Sequence, residues 1–317
     1  MKTAESQQVI PSLRQALSSL VDTQFPMDTL ALHAFSDVSI QELAEFQLAW
    51  MEIGSARRVD IIQALRDLAN ESPSLDFDQI ARAVILMDPS ARVRAAAVST
   101  VSDDNNIDII DPLIQMMQHD PDPSCRSAAA GRLGKYVYLY ETGDLSSDHG
   151  TLIVETLIDV TECDVENEVR CRALESLGFS SRPEVPPIIK ANLKHGDELS
   201  VSSSIRAMGR SYDAERWGQD ILYALTHPSS QVREAAVRAS GEIQLRLAVD
   251  DLIDLFVDSE REIQEMAIWA LGEIGGKRVC SALIEIQAGC EEDDVLHELA
   301  ADALANSKLM ESIFDYG

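Results

Sequence analysis

Apolar side chains recur along the chain at intervals of three and four residues, which is the spacing of one face of an α-helix. Seven segments of ten residues share this pattern and align without gaps. They begin at Val93, Cys125, Val169, Ser200, Val232, Ile263 and Leu296, so their starts are 32, 44, 31, 32, 31 and 33 residues apart. A period of this length is typical of repeat proteins, and it predicts one helix in each copy.

Three positions within the aligned segments carry the pattern. The fifth position is small in every copy, and the ninth is mostly large and apolar. The tenth is glycine in five copies, namely Gly134, Gly178, Gly209, Gly241 and Gly272. The small fifth position predicts close packing between helices, and the glycine predicts the end of each helix.

Further amphipathic segments lie between these helices, at residues 107–118, 248–258 and 279–287. Each repeat is therefore predicted to be a helical hairpin, and neighbouring hairpins must stack because one hairpin cannot cover its own apolar face. We expect an all-α solenoid with about seven hairpins over residues 76–306. Residues 1–75 are predicted to form N-terminal capping helices and a degenerate repeat, with a capping box from Ser39 to Glu42, and residues 307–317 a C-terminal tail.

The repeat resembles a HEAT repeat, and in particular the short form of phycobilisome-lyase-type HEAT proteins, in its acidic turn and its second helix, which opens V-R-x-A-A and closes A-L-G. The segments GFSSRPEV and AMGRS also resemble uncharacterised bacterial HEAT-repeat proteins. The resemblance implies a ladder of Asp and Arg side chains between neighbouring repeats. The matching pairs are Asp88 with Arg94, Asp120 with Arg126, and Asp164 with Arg170. The later pairs are His195 with Val201, His227 with Arg233, Asp258 with Gln264, and Glu291 with His297, so we expect the ladder to fail beyond the third copy.

Composition and charge narrow the range of functions. A net charge of −28 would repel the phosphate backbone, so we do not expect nucleic acid as a partner. No apolar run is long enough to span a membrane and the N-terminus has no hydrophobic signal core, which predicts a cytoplasmic protein without membrane insertion. The five cysteines are odd in number and widely spaced, which favours reduced, structural thiols.

Catalytic motifs are absent from the sequence. It contains no phosphate-binding glycine loop, no nucleophile elbow and no zinc-protease motif. His297 and Glu298 form a single His-Glu pair, whereas HEAT-repeat hydroxylases bind two irons through such pairs on four helices. We therefore expect no catalytic residue, no metal and no cofactor. The resemblance leaves one enzymatic alternative, the attachment of a bilin to a cysteine of an antenna protein.

The register of the repeat predicts a binding surface. If the first, fifth and ninth positions of the second helices face the core, the third, seventh and eleventh face away from it. This column includes Cys171, Glu175 and Phe179 in the third copy and Ser202, Arg206 and Arg210 in the fourth, and it becomes acidic in the last three. By resemblance, the second helices of HEAT proteins line the concave side.

We therefore predict a concave groove that binds a protein partner, and its acidity favours a partner with a basic segment. Its residues are Glu234, Arg238, Glu242, Glu265, Trp269, Glu273, Glu298 and Asp302. Trp269 either anchors the partner or packs on the adjacent repeat.

Two other surfaces are candidates. An insert near residues 136–150 carries Tyr136, Tyr138 and Tyr140, and it is either a recognition loop or a longer helix whose tyrosines pack. The tail at 309–317 either caps the last apolar face or docks to a partner. We predict a non-catalytic scaffold, adaptor or assembly factor, with a structural subunit of a larger complex as the other alternative. The sequence leaves the oligomeric state open.

Overall fold

A computed structural model describes residues 10–21, 27–102, 106–258, 260–290 and 294–314, with only the backbone described at residues 195, 294 and 309–314. Several expectations lie outside the described residues. They concern residues 1–9 of the predicted N-terminal capping helices, Asp103 at the eleventh position of the first copy, the ladder side chains of His195 and Glu291, and the side chains of the tail.

The described residues form eighteen α-helices and no β-strand, which confirms the all-α fold. The helices are α1 (Leu13–Val21), α2 (Thr29–Leu32), α3 (Ile40–Trp50), α4 (Ser55–Glu71), α5 (Asp78–Met87), α6 (Ala91–Val98), α7 (Ile110–His119), α8 (Pro123–Thr142), α9 (Ser147–Cys163), α10 (Asn167–Leu177), α11 (Val185–His195), α12 (Glu198–Arg210), α13 (Ala214–Leu225), α14 (Ser230–Glu242), α15 (Val249–Asp254), α16 (Arg261–Ile274), α17 (Lys277–Gly289) and α18 (Asp294–Phe314). The chain divides into two compact units, residues 1–133 and 134–317.

The seven aligned segments lie on α6, α8, α10, α12, α14, α16 and α18, which are the second helices of the hairpins. In the second unit, α10, α12, α14, α16 and α18 pack each against the next. The fifth and ninth positions are buried in every copy, as the register predicts. These residues are Ala97, Val101, Ala129, Leu133, Ala173, Leu177, Ser204, Met208, Ala236, Ser240, Ala267, Leu271, Ala300 and Leu304.

Four of the five tenth-position glycines do not end a helix, so the prediction was wrong for them; only Gly178 directly follows a helix end among the described residues, as the C-cap of α10. Helix α8 continues through Gly134 to Thr142, and Gly209, Gly241 and Gly272 lie inside α12, α14 and α16. None of them has a positive φ, so none serves as a left-handed helix cap.

These glycines instead allow close contact between second helices. Each faces the small residue at the eighth position of the next copy, and we call these pairs the glycine contacts. They are Gly134 with Ser176, Gly178 with Ala207, Gly209 with Ala239, Gly241 with Ala270, and Gly272 with Ala303. A Cβ atom at Gly272 would lie 2.9 Å from the Cα of Ala303, so any side chain there would push the two helices apart.

In the first unit, arginines join the acidic turns of successive hairpins. The Arg94 guanidinium donates to the two carboxylate oxygens of Asp120 at 2.7 and 2.8 Å, and to the backbone carbonyl of Asp88 at 2.8 Å. The Asp88 carboxylate lies 2.9 Å from Nε of Arg58 and accepts a hydrogen bond from Trp50 Nε1 at 2.7 Å. The N-terminal helices therefore share the ladder, which begins one hairpin earlier than expected.

The ladder also continues further than expected. Arginines at the equivalent position donate to the carbonyl six residues before them, and these bonds are Arg126 to Asp120 (3.0 Å), Arg170 to Asp164 (2.6 Å) and Arg233 to His227 (3.0 Å). Arg233 also donates to both carboxylate oxygens of Asp258, at 2.8 and 2.9 Å. The expected failure beyond the third copy is wrong here, because the carboxylate that Arg233 needs belongs to the next copy, where Asp258 supplies it.

The predicted capping box is present at the start of α3. The Ser39 hydroxyl accepts a hydrogen bond from the backbone N–H of Glu42 at 3.3 Å, and the Glu42 carboxylate accepts one from the backbone N–H of Ser39 at 2.9 Å. Both orphan N–H groups at this helix end are thereby satisfied, which fixes where α3 begins.

Candidate functional site

The predicted groove residues lie on the exposed sides of three helices that pack one against the next. We use the name acidic column for the third, seventh and eleventh positions, counted from the start of each aligned segment, on α14, α16 and α18. Its predicted groove members are all exposed or half-buried: Glu234, Arg238, Glu242, Glu265, Trp269, Glu273, Glu298 and Asp302. The fifth and ninth positions of the aligned segments on the same helices are buried, so the column lies on their solvent-exposed side.

Several carboxylates of the acidic column already have partners. Arg261 donates to Glu265 at 2.8 Å, and the side-chain amide of Asn306 donates to Glu273 at 3.0 Å. By contrast, Glu298 and Asp302 are exposed and form no ion pair with any residue that the structure describes. The charge available to a basic partner is therefore concentrated at α18.

Trp269 packs on the adjacent repeat, which is one of the two alternatives considered for it, and it also stays partly exposed. Its ring covers Gly241, where a Cβ atom would lie 2.7 Å from ring atom Cζ3, so it packs on the preceding second helix. The Arg238 guanidinium lies 5.9 Å from the ring centroid. Even so, 37% of the Trp269 surface remains exposed. One part of the ring is structural, and another part faces solvent among carboxylates.

The expected exposure of the column was wrong in the third copy and also at Ser202 of the fourth copy, which is fully buried. Glu175 is only 3% exposed, and Cys171 is also buried. The reason is that α12 covers this side of α10: the Ser203 hydroxyl donates to Glu175 at 2.9 Å, and Arg206 reaches the same carboxylate at 3.4 Å. Arg172 of α10 adds a hydrogen bond at 2.9 Å. Glu175 is therefore a buried counter-ion for arginines.

Burial also raises the pKa of the Glu242 carboxyl, although the nearby guanidinium groups of Arg210 and Arg238 act in the opposite direction. Helix-face reasoning placed Glu242 in an open groove. In the structure it is half-buried, and its oxygen Oε2 would lie 2.6 Å from a Cβ atom at Gly209. Its negative charge is therefore less available to a partner than those of Glu298 and Asp302.

The insert is a helix extension with a short turn. Helix α8 ends at Thr142 and α9 begins at Ser147, so the expected turn-rich loop is reduced to residues 143–146. Tyr136 is fully buried, and the Tyr140 ring fills the space beside Gly150. Tyr138 is 44% exposed and packs edge-on against Phe179, with ring centroids 5.8 Å apart. Tyr138 alone among the three tyrosines offers a large exposed surface.

The described residues provide little for catalysis. Among them, no group of three or more His, Cys, Asp or Glu side chains could hold a metal ion. All five cysteines carry free thiols. Burial raises the pKa of the Cys125 thiol to about 11, and burial also raises the pKa of Cys171, so neither is a ready nucleophile at neutral pH. None of the described helices has the length and apolar character needed to cross a membrane.

Comparisons with known proteins concern the fold. Residues 218–305 match a family described as HEAT repeats. No curated protein matches the chain. Solved structures similar to it include the complex of CpcE and CpcF of phycocyanin lyase from Nostoc sp. PCC7120, with 18% identity, 73% of this chain and 94% of that chain covered, and a TM-score of 0.48. The Escherichia coli protein YibA gives 15% identity, 90% and 99% coverage and a TM-score of 0.48. Importin beta gives 14% identity, 93% and 47% coverage and the same TM-score, so the chain spans about half its length.

Proposed function

We propose that this chain, a HEAT-repeat protein, is a non-catalytic scaffold that binds a partner protein through the acidic column of α14, α16 and α18. The observation that supports the proposal most is the partial exposure of Trp269 within a strip of carboxylates. Aromatic side chains in such settings are enriched among the residues that dominate binding energy at protein interfaces. An adaptor and an assembly factor both fit this description.

The exposed acids favour a partner with a basic segment. Glu298 and Asp302 can attract Lys or Arg side chains, but each exposed ion pair contributes only about 0–1 kcal/mol. Most of the affinity must then come from apolar contact with Trp269, and the acids speed association and orient the segment. We therefore expect a basic segment that also carries an apolar side chain.

A pull-down with matched charge variants tests the proposal. The tagged wild-type chain is compared with two double variants. The α18 variant carries Glu298→Lys and Asp302→Lys. The control variant carries Glu215→Lys and Glu285→Lys, which change the charge equally at exposed positions of α13 and α17. Proteins recovered with the wild type and the control, as measured by quantitative mass spectrometry, should be lost from the α18 variant. Recovery of the same proteins with all three would remove the acidic column as the binding surface.

The same experiment leads to a direct measurement. With the recovered partner purified, Trp269→Ala should weaken binding by about tenfold or more if the ring is an anchor. Isothermal titration calorimetry measures the affinity, and circular dichroism checks that α16 remains folded. An unchanged affinity would show that Trp269 acts only in packing.

A further inference from the structure

Four arginines lie close together on α10, α12 and α14, in a chain whose net charge is −28. We call Arg172, Arg206, Arg210 and Arg238 the arginine cluster. Three of them lie 2.9, 3.4 and 3.9 Å from the buried carboxylate of Glu175. Arg206 also lies 3.9 Å from Glu234. Three carboxylates, at Glu175, Glu234 and Glu242, face four guanidinium groups, so the cluster has an excess of positive charge.

Two members of the cluster have hydrogen-bond donors to spare. Arg210 is half-buried, and among the described residues its only ion pair is the 3.9 Å contact with Glu175. Its guanidinium lies 5.4 Å from the Phe179 ring centroid. Arg238 is exposed and lies over Trp269. Neither makes a hydrogen bond to any described residue, although a guanidinium carries five N–H donors. Each guanidinium lies against an aromatic ring, that of Phe179 for Arg210 and that of Trp269 for Arg238.

The counter-charge around Arg210 is incomplete. Burial lowers the pKa of the Arg210 guanidinium, which means that its neighbours do not fully compensate the loss of hydration. Burial raises the pKa of Glu242, so the negative charge of this neighbour is also disfavoured. A carboxylate supplied by a partner would offset the lost hydration of the Arg210 guanidinium, because a two-point hydrogen bond between a guanidinium and a carboxylate is among the strong hydrogen bonds of proteins.

We propose that the arginine cluster binds an acidic segment of a partner protein, with a carboxylate held by Arg210 and Arg238 and an aromatic side chain packed against Tyr138 and Phe179. Tyr138 is 44% exposed and shares an edge-on contact with Phe179, which provides the apolar surface. This site shares Arg238, which lies over Trp269, with the acidic column of the proposed function, but it does not use Glu298 or Asp302 of α18. Arg210→Gln therefore tests this site alone, and the α18 variant tests the acidic column alone.

A short acidic segment fits better than nucleic acid. A phosphate backbone carries charge along its whole length, so beyond the cluster it meets the carboxylates of the acidic column on α16 and α18. One or two carboxylates respond only to charges within a Debye length, roughly 8 Å at physiological ionic strength, where the arginines dominate.

Fluorescence anisotropy with the full chain tests this site. The probes are the fluorescein-labelled peptides EEFEEF and QQFQQF, which differ only in charge. We expect EEFEEF to bind at least about tenfold more tightly than QQFQQF, and Arg210→Gln and Arg238→Gln each to weaken EEFEEF binding by about tenfold. The control Arg278→Gln, which removes an exposed arginine of α17, should leave binding unchanged.

The variants keep the test decisive. Arg238 is exposed and bonds to no described acceptor, so Arg238→Gln should fold even if Arg210→Gln does not, and circular dichroism verifies this. Absent binding of EEFEEF, equal binding of the two peptides, or binding that Arg238→Gln leaves unchanged would each overturn the proposal. A single-stranded oligothymidylate that binds more tightly than EEFEEF, with the same dependence on Arg238, would overturn it in favour of nucleic acid.

Discussion

Replacing Gly178 with alanine tests whether the second helices are in the close contact described above. Gly178 caps α10 with φ −52°, an ordinary right-handed conformation, so alanine is acceptable to its own backbone. The obstacle is α12. A Cβ atom at Gly178 would lie 2.5 Å from the carbonyl oxygen and 2.7 Å from the Cα of Ala207. These are backbone atoms, which cannot rotate away as a side chain can.

The expected cost follows from these distances. Carbon atoms pack at about 3.5–4.0 Å, so α10 and α12 must move apart by roughly 1 Å to admit the methyl group. Overpacking of this kind costs about 1–3 kcal/mol, and the better helix propensity of alanine returns at most about 1 kcal/mol. We therefore expect Gly178→Ala to lower the free energy of unfolding by about 1–2 kcal/mol. The hydrogen bond from Ser203 to Glu175 crosses the same pair of helices and would be stretched as well.

Urea unfolding followed by circular dichroism measures the effect. Gly289→Ala is the matched control, because Gly289 ends α17 without a positive φ and a Cβ atom there meets nothing within 4 Å. The control should be neutral or up to about 0.5 kcal/mol more stable. If Gly178→Ala is as stable as Gly289→Ala, the packing role assigned to the glycine contacts is refuted.

Two further predictions concern charge. Arg233→Leu removes two hydrogen bonds to the nearly buried carboxylate of Asp258, so it should lower the free energy of unfolding in urea by about 2–3 kcal/mol. The control Arg278→Leu breaks an exposed ion pair and should lower it by less than about 1 kcal/mol. Equal losses would contradict the ladder's role in stability. Burial raises the pKa of Glu242 above its ordinary value, so between the unfolded-state and folded-state pKa the folded protein retains a proton that the unfolded chain has released. The charged carboxylate therefore destabilises the folded protein at neutral pH, and this destabilisation disappears as the pH falls through the folded-state pKa. Glu242→Gln should therefore raise the thermal midpoint at neutral pH more than at about pH 5, and an equal rise at both would contradict this assignment.

The repeat and its register could be predicted because they depend on local helix geometry. A residue such as Ala173 or Leu177 is buried because of its place on one helical face, and that face is visible in a single segment. The HEAT-repeat resemblance was confirmed, with the family match covering residues 218–305. The fold class followed from the same pattern.

The role of the glycines was missed because it depends on two copies at once. A glycine near a helix end fits a left-handed cap as well as a close helix contact, and Gly241 alone does not distinguish them. The signal lay in the next copy, whose eighth position is always small opposite these glycines: Ser176, Ala207, Ala239, Ala270 and Ala303. Comparing the tenth position of one copy with the eighth of the next would have identified the contact.

The burial of Glu175 and the bond from Arg233 to Asp258 were missed for a related reason. Helix-face reasoning assigns Glu175 to solvent, but Ser203 and Arg206 of the following helix cover it. Likewise, the sequence pairs Arg233 with His227 six residues earlier, although its carboxylate partner lies in the next repeat. Single segments do not reveal partners that only stacking brings together.

The glycine contacts give neighbouring repeats of the second unit the same pairing, a glycine opposite a small residue. Each boundary between second helices in the second unit opposes a glycine to a residue no larger than serine, so the helix backbones come close at every boundary. Deleting one whole repeat would set Gly209 against Ala270 in place of Ala239, so a glycine would still oppose a small residue. An insertion or deletion of part of a repeat would instead place a bulky residue opposite the glycine. Natural variation in the length of this protein should therefore occur in whole repeats.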